Sequence, residues 1–231
     1  GHDARLLDLY ARYNDDLGGR PFAMRLGKQV LNWGESLFIQ NGISVVNPID
    51  VSLIRSPGTE LREAYIPTPM LWASQQLTSR ASVEGFALFR ADHYRLDPRG
   101  TFFATDDVVS GRLGVGDASD RIYLNSAMPD QRALDPTILP PPFGPGQMWV
   151  DRTASRRALN GDQFGLSTHV SIPELYHLEL GAYAMQYTSR VPYLSFNAGN
   201  AYSSAATGPG DASYFIEYPS RIHLLGLSGR W

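Results

Sequence analysis

The feature that most constrains this chain is a rhythm. About seven segments alternate apolar and polar residues with period two, and they are joined alternately by tight links and by long connections. The tight links are Asp15 to Arg20, Thr78 to Arg80 and Ile172 to Leu175; the long ones run from Asn32 to Pro69, from Arg95 to Asp162 and from Arg190 to Ala212. Period-two alternation puts every second side chain on one face of an extended strand. An antiparallel up-and-down transmembrane β-barrel has this asymmetry, with short turns on its periplasmic side and long extracellular loops. A soluble sandwich has no reason to keep it.

The segments bear out the pattern one by one. Leu7, Leu9, Ala11 and Tyr13 share a face opposite Asp8, Arg12 and Asn14, and after Gly18-Gly19 the residues Phe22, Met24 and Leu26 oppose Ala23, Arg25, Gly27 and Gln29, which together read as a hairpin. Met70 to Leu77 and Ala81 to Asp92 form the next pair, the second with Val83, Gly85, Ala87, Phe89 and Ala91 on one face and Glu84 and Arg90 on the other. Gln163 to Ser171 and Tyr176 to Ser189 form a third, with Phe164, Leu166, Thr168 and Val170 against Gln163, Ser167 and His169. The last segment, Ser213 to Trp231, carries Pro219, so a bulge or a break into two pieces is expected there. A short helical turn is expected within Thr59 to Ala64, after Pro57-Gly58.

Composition removes several classes. No stretch approaches the roughly 18 apolar residues of a spanning helix, whereas barrel strands escape that test because only alternate side chains must be apolar. A net charge of −3 carries no basic footprint, so a nucleic-acid partner is not expected. The absence of cysteine removes disulfides, thiolate metal sites and cysteine nucleophiles. With 231 residues and no shift in composition, the expectation is a single β-barrel unit over residues 1–231. Gly1-His2-Asp3 is neither an initiator methionine nor an export signal, so any targeting segment is expected to be missing or already removed. An odd strand count cannot close an ordinary bacterial barrel, and an open edge in lipid leaves backbone groups unsatisfied. Either the count is off by a strand or the chain is part of a larger barrel, and the internal-looking start favours the second.

Two blocks narrow the reading further. Arg25-Leu26-Gly27-Lys28-Gln29-Val30-Leu31-Asn32-Trp33-Gly34-Glu35-Ser36 and Gly42-Ile43-Ser44-Val45-Val46-Asn47-Pro48-Ile49-Asp50 resemble a signature of the Gram-negative family called domain of unknown function thirteen-oh-two. Phe215-Ile216-Glu217-Tyr218-Pro219, followed by Leu225-Gly226-Leu227-Ser228, resembles a later one. The match in order and spacing spans most of the chain, with the Arg99 to Asp162 loop the least alike. The resemblance implies a barrel in the outer membrane of a Gram-negative bacterium, in contact with its lipid. It also implies a role in moving or displaying hydrophobic compounds beside a periplasmic lipid-binding-like protein and a resistance-nodulation-division exporter. It brings no catalytic residues, and the family's members are longer than this chain.

The Asn32 to Pro69 connection is too apolar to lie freely in water, with Leu37, Phe38, Ile39, Ile43, Val45, Val46 and Ile49 among its residues. It is expected to fold inward and narrow the barrel. Candidate lumen or constriction residues are Trp33, Glu35, Asn47, Asp50 and Arg55 on the connection, facing Arg12, Arg25, Glu84 and Arg90 on the strands. The plainer alternative is that Trp33, Asn47-Pro48 and Asp50 fix loop geometry through a turn and side-chain to backbone hydrogen bonds.

Other motifs carry less. Gly34-Glu35-Ser36 lacks the second glycine of a nucleophile elbow. His93, His169, His177 and His223 lack metal spacing, and a His169–His177 pair supplies only two ligands, so polar lumen positions are the simpler reading. Asp15-Asp16, Asp106-Asp107, Asp117 and Asp120 do not have the spacing of a calcium loop. Arg152, Arg156 and Arg157 suit anionic lipopolysaccharide, but an unpaired surface cluster is the simpler account. Pro140-Pro141-Pro142 reads as a stiff piece of loop. No cofactor is expected. The function expected is a non-enzymatic, porin-like channel or transport component for hydrophobic or amphipathic compounds. The rivals are a surface-display or adhesion barrel whose long loops bind a partner, and a soluble β-sandwich that binds lipid or sugar.

Overall fold

The computed structural model describes residues 7–33, 46–97, 101–104, 108–109, 121–123, 149–156, 161–199 and 211–231. In chain order its elements are β1 (Leu9–Asp16), β2 (Pro21–Gln29), α1 (Val51–Ile54), α2 (Leu61–Ala64), β3 (Thr68–Gln76), β4 (Ala81–Leu88), β5 (Arg121–Tyr123), β6 (Trp149–Arg152), β7 (Gln163–Ile172), β8 (Leu178–Tyr187), β9 (Tyr193–Asn197), β10 (Ser213–Glu217) and β11 (Ile222–Arg230). Among the described residues the protein is all-β apart from two single-turn helices. Its chain forms two compact units, one of Gly1–Arg95, Ala158–Val191 and Pro219–Trp231, the other of Leu96–Arg157 and Pro192–Tyr218. Uniform composition gives no hint of this division.

In the first unit the alternating segments become the strands of one seven-stranded antiparallel sheet, in the order β1-β2-β3-β4-β7-β8-β11. Its hairpins use the tight links read from the sequence. Between β1 and β2, Gly18 and Gly19 have φ of +63° and +72°, the left-handed pair that a two-residue hairpin turn needs and that glycine adopts without steric cost. Pro219 does break the last segment: β10 ends at Glu217 and joins a different sheet, while β11 starts at Ile222. The strand expected to reach Asp92 stops earlier, at Leu88. Beyond it Arg90 and Asp92 pair side by side, with Nε to Oδ1 at 2.7 Å, so Arg90 does not extend the Glu84 face.

Register is continuous across the sheet, and it defines rows of side chains. One row runs Arg12, Arg25, Trp72, Phe86, Gly165, Met185, Leu224, and another Tyr10, Gly27, Met70, Leu88, Gln163, with Tyr187 opposite Ile222 on the same face. These rows meet Leu31, Trp33 and Val46 in the buried core of the unit, so this is the covered face. Nearer the tight turns the covered face becomes polar, with the row Asn14, Ala23, Ser74, Glu84, Ser167, Tyr183.

The opposite face is bare and apolar. Tyr13, Met24, Ala73, Gly85, Leu166, Ala184 and Leu225 form one of its rows. Within the registered rows its charged residues are Asp15 and Lys28, near its two ends. Along β7 the usual globular assignment is inverted: Gln163, Gly165 and Ser167 are buried, while Phe164 and Leu166 stand 54% and 55% exposed. On β11, Leu225 and Leu227 are 83% and 85% exposed.

No register joins β1 to β11 among the described residues, and each has a single neighbour. Among the described residues the sheet is therefore open rather than closed into a barrel, with β1 and β11 as its edge strands.

The second unit holds a four-stranded sheet, β5-β6-β10-β9, in which β10 pairs parallel with β6 and antiparallel with β9. Val150, Tyr214 and Ile216 form its core, with Val108, Val109 and Ile122 packed against them. Sequence reading leaves β5, β6 and β9 within long polar loops and has β10 only as the first piece of the segment that Pro219 breaks. They have three to five residues each, too few for a visible alternation, and the parallel pair joins segments far apart in the chain.

Candidate functional site

The covered face and the connection between β2 and β3 bring most of the candidate residues together. Trp33 follows β2 by four residues, and its indole is 2% exposed. It packs edge-on against Phe86 at 4.9 Å and Tyr183 at 5.6 Å between ring centres, both on the covered face. The indole reaches the sheet because β7 has Gly165 beneath it: a Cβ there would lie 2.7 Å from Cζ3 and Cη2 of Trp33 and 2.5 Å from Cε1 of Phe86. The Trp33 Nε1 is buried without a hydrogen-bond acceptor among the described residues. Its burial is therefore driven by ring contact.

Asn47 explains how the connection returns. Its Oδ1 accepts from the Leu31 N–H at 2.8 Å, and its Nδ2 donates to the carbonyls of Gln29 and Ile66, each at 3.1 Å. One buried amide thus ties the exit from β2 to the approach to β3. An aspartate would keep the acceptor and lose both donors. Asp50 is also buried, accepting from Ser52 Oγ at 2.6 Å and from Arg95 Nη1 at 3.1 Å. The Asn47 bonds join side chain to backbone, the kind named in the plainer alternative, whereas those of Asp50 go to the side chains of Ser52 and Arg95.

The strand candidates divide. Arg12 and Arg25 face each other across β1 and β2 on the covered face. The Arg12 Nε donates to Asn14 Oδ1 at 3.0 Å, and the Arg25 guanidinium lies 4.2 Å over the Trp72 ring. Glu84 is on the same face, in the row of Ser74 and Ser167. Arg55 caps the end of α1 and is exposed, and Arg90 is held by Asp92. Glu35, with Leu37 to Val45, lies outside the described residues.

Sequence reading misses Arg190, which is 0% exposed just past β8. Its Nη1 donates to the Asp92 carbonyl at 3.3 Å and its Nη2 to the Val46 carbonyl at 3.0 Å. Burial pushes its pKa down to about 10, opposed by the nearby charge of Asp92 and by Tyr187 and Tyr94. The side chain therefore stays cationic at neutral pH. No local signal marks it, because its acceptors are about a hundred or more residues away in the chain. Burial likewise pushes the neighbouring Tyr94 phenol up, with Tyr65 adding to the shift and Arg190 opposing it.

The histidines disperse. His169 is on the covered face with its ring 5.4 Å from Tyr183, His177 is in the β7–β8 turn, and His223 is on the bare face, hydrogen-bonded to Gln186 at 2.8 Å. His223 thus departs from the expected lumen position, since register sets its face. Among the described residues no group of three or more His, Cys, Asp or Glu is placed to hold a metal. Arg152 donates to Ser155 Oγ at 3.2 Å and Arg156 stacks 4.1 Å over Phe215, so these two are engaged rather than an unpaired cluster. Arg157, Asp106-Asp107, Asp117 and Asp120, and Pro140-Pro141-Pro142, lie outside the described residues.

No helix among the described residues is long and apolar enough to cross a membrane, a test that does not apply to strands. Comparison with curated proteins and with solved structures returns no match. A family model described as protein of unknown function (DUF1302) matches residues 1–231, and the chain belongs to that family.

Proposed function

We propose that the seven-stranded sheet is wall of a transmembrane barrel in the outer membrane, and that the protein is a non-enzymatic channel or transport component for hydrophobic or amphipathic compounds. The observation that carries this reading is the inversion along β7, where Phe164 and Leu166 face outward while Gln163 and Ser167 are buried. In water that arrangement exposes a continuous apolar face much larger than scattered surface leucines. Against hydrocarbon it is the favourable one. From Phe164 to Val170 the strand advances about 20 Å at about 3.4 Å per residue, close to the apolar band of about 25 Å on outer-membrane barrels.

In this reading further strands pair with β1 and β11, since lipid does not tolerate open edges. Trp33 and its aromatic partners narrow the bore on the side of the long connections, and the polar row of Ser74, Glu84 and Ser167 lines it towards the tight turns. The reading predicts that the protein stays in the membrane fraction after an alkaline carbonate wash. In planar bilayers it should conduct weakly, and Trp33→Ala should raise single-channel conductance. Recovery in the soluble fraction without detergent would falsify the membrane reading, and silence of both proteins in bilayers would leave only an anchor.

A further inference from the structure

We propose that a cavity beside Arg25 binds an organic carboxylate with a compact apolar body. The cavity has a volume of about 380 Å3, and Tyr10, Val30 and Tyr65 contribute to its walls. That size is within the range of small-molecule sites.

Its charges decide the class of ligand. The Arg25 guanidinium stacks on Trp72 and lies 5.5 Å from the Tyr10 ring, contacts that hold its plane without using its hydrogen-bond donors. No carboxylate pairs with it among the described residues, and its Nε is buried with no acceptor. Asp8 also lines the cavity, but its Oδ1 accepts from the Val30 N–H at 3.1 Å and its Oδ2 from Arg62 at 3.4 Å. Arg62 is thereby matched, and Arg25 remains as the surplus positive charge, with Arg12 beside it across the strand pair. A half-buried planar cation at the wall of a cavity that Tyr10, Val30 and Tyr65 share with Asp8, Asn32 and Arg62 lacks its acceptor. A carboxylate supplies one that fits the guanidinium fork. The planar guanidinium suits a carboxylate, and the tyrosine and valine walls suit an apolar body.

Binding at this cavity does not depend on closure of the sheet; as a statement about cargo, it rests on the transport reading. The test uses 4-phenylbutyrate and its neutral analogue 4-phenylbutan-1-ol, titrated calorimetrically into the full chain. The protein is held in lipid nanodiscs, or in buffer if fractionation finds it soluble, so failure of the membrane reading and failure of this one are separate results. The expected outcome is saturable binding of the acid, at least tenfold tighter than the alcohol. Arg25→Gln should weaken it at least tenfold and Arg25→Lys by less. Arg80→Gln, in an exposed pair with Glu174 at 2.7 Å, should leave it unchanged. Absence of acid binding, equal affinity for acid and alcohol, or unchanged affinity in Arg25→Gln overturns the proposal. If Arg25→Gln does not fold, the acid-to-alcohol ratio of the unaltered protein decides.

Discussion

The indole of Trp33 occupies the space that a side chain at Gly165 would need, with 2.7 Å between its ring carbons and the position of an added Cβ. Phe86 closes on the same point from the neighbouring strand at 2.5 Å. Neither ring can yield without leaving the core. Gly165→Ala is therefore expected to destabilise the protein by about 1–3 kcal/mol, the usual cost of forcing a methyl group into a packed site. Gly85→Ala is the control, since its Cβ would meet nothing nearer than the Gly165 carbonyl at 3.4 Å. Denaturant unfolding followed by tryptophan fluorescence compares the two; equal losses would show that Trp33 does not press on Gly165.

Asn47 is expected to be a structural clamp. Asn47→Ala leaves the Leu31 N–H and the Gln29 and Ile66 carbonyls without their partner, and it should cost at least about 2 kcal/mol. Asn47→Asp should do no better, because it gives up both donors and places a carboxylate beside two carbonyls. If either variant matches the parent in stability while only ligand binding or conductance changes, Asn47 acts on the passing compound instead.

Arg190 is expected to be indispensable to the first unit. Arg190→Ala uncovers the Val46 and Asp92 carbonyls and opens a cavity, for a loss of about 3 kcal/mol or more. Arg190→Lys keeps the charge but cannot span both acceptors with one planar fork, so it should recover part of the loss. The pH dependence has a definite sign. Below pH about 10 the group is protonated both folded and unfolded, so it adds no slope. Above it the unfolded chain, with the higher ordinary value of a guanidinium, holds more protons, and stability relative to Arg190→Met should rise with pH. A steep difference between the two proteins from pH 6 to 9 contradicts this assignment.

The bare face offers a paired test. Leu166→Lys puts a charge in the middle of the apolar rows, and at the midplane of a bilayer that costs about 2–4 kcal/mol. Ser74→Lys puts the same charge on the polar part of the covered face. Yield in carbonate-washed membranes should fall sharply for the first and little for the second. Equal yields, or a gain in solubility from Leu166→Lys without loss of fold, point to a face that meets water.

Much of the sheet was legible along the chain because its cause is local. Gly18-Gly19 permits one turn type, Pro219 cannot continue a ladder, and alternation from Phe164 to Val170 assigns faces whatever the partner strands are. The helical turn at Leu61–Ala64 follows from the same kind of local preference. The site was legible in part. An apolar connection beginning at Trp33 had to cover something, and a polar Asn47-Pro48 turn had to satisfy backbone groups. Arg190 was not legible, nor was the second sheet, since a buried guanidinium and a parallel β6–β10 pair depend on segments distant in sequence meeting in space.

By itself, then, the sequence determined which residues extend, where they turn and which side chains share a face, because those are consequences of backbone geometry over a few residues. Only the tertiary structure decided that the Trp33 side of the sheet is the covered one, that Gly165 makes room for the indole, and that Arg25 stacks on Trp72 while Arg190 is enclosed by carbonyls. Those outcomes depend on which surfaces exclude water together, and local preference carries no information about that.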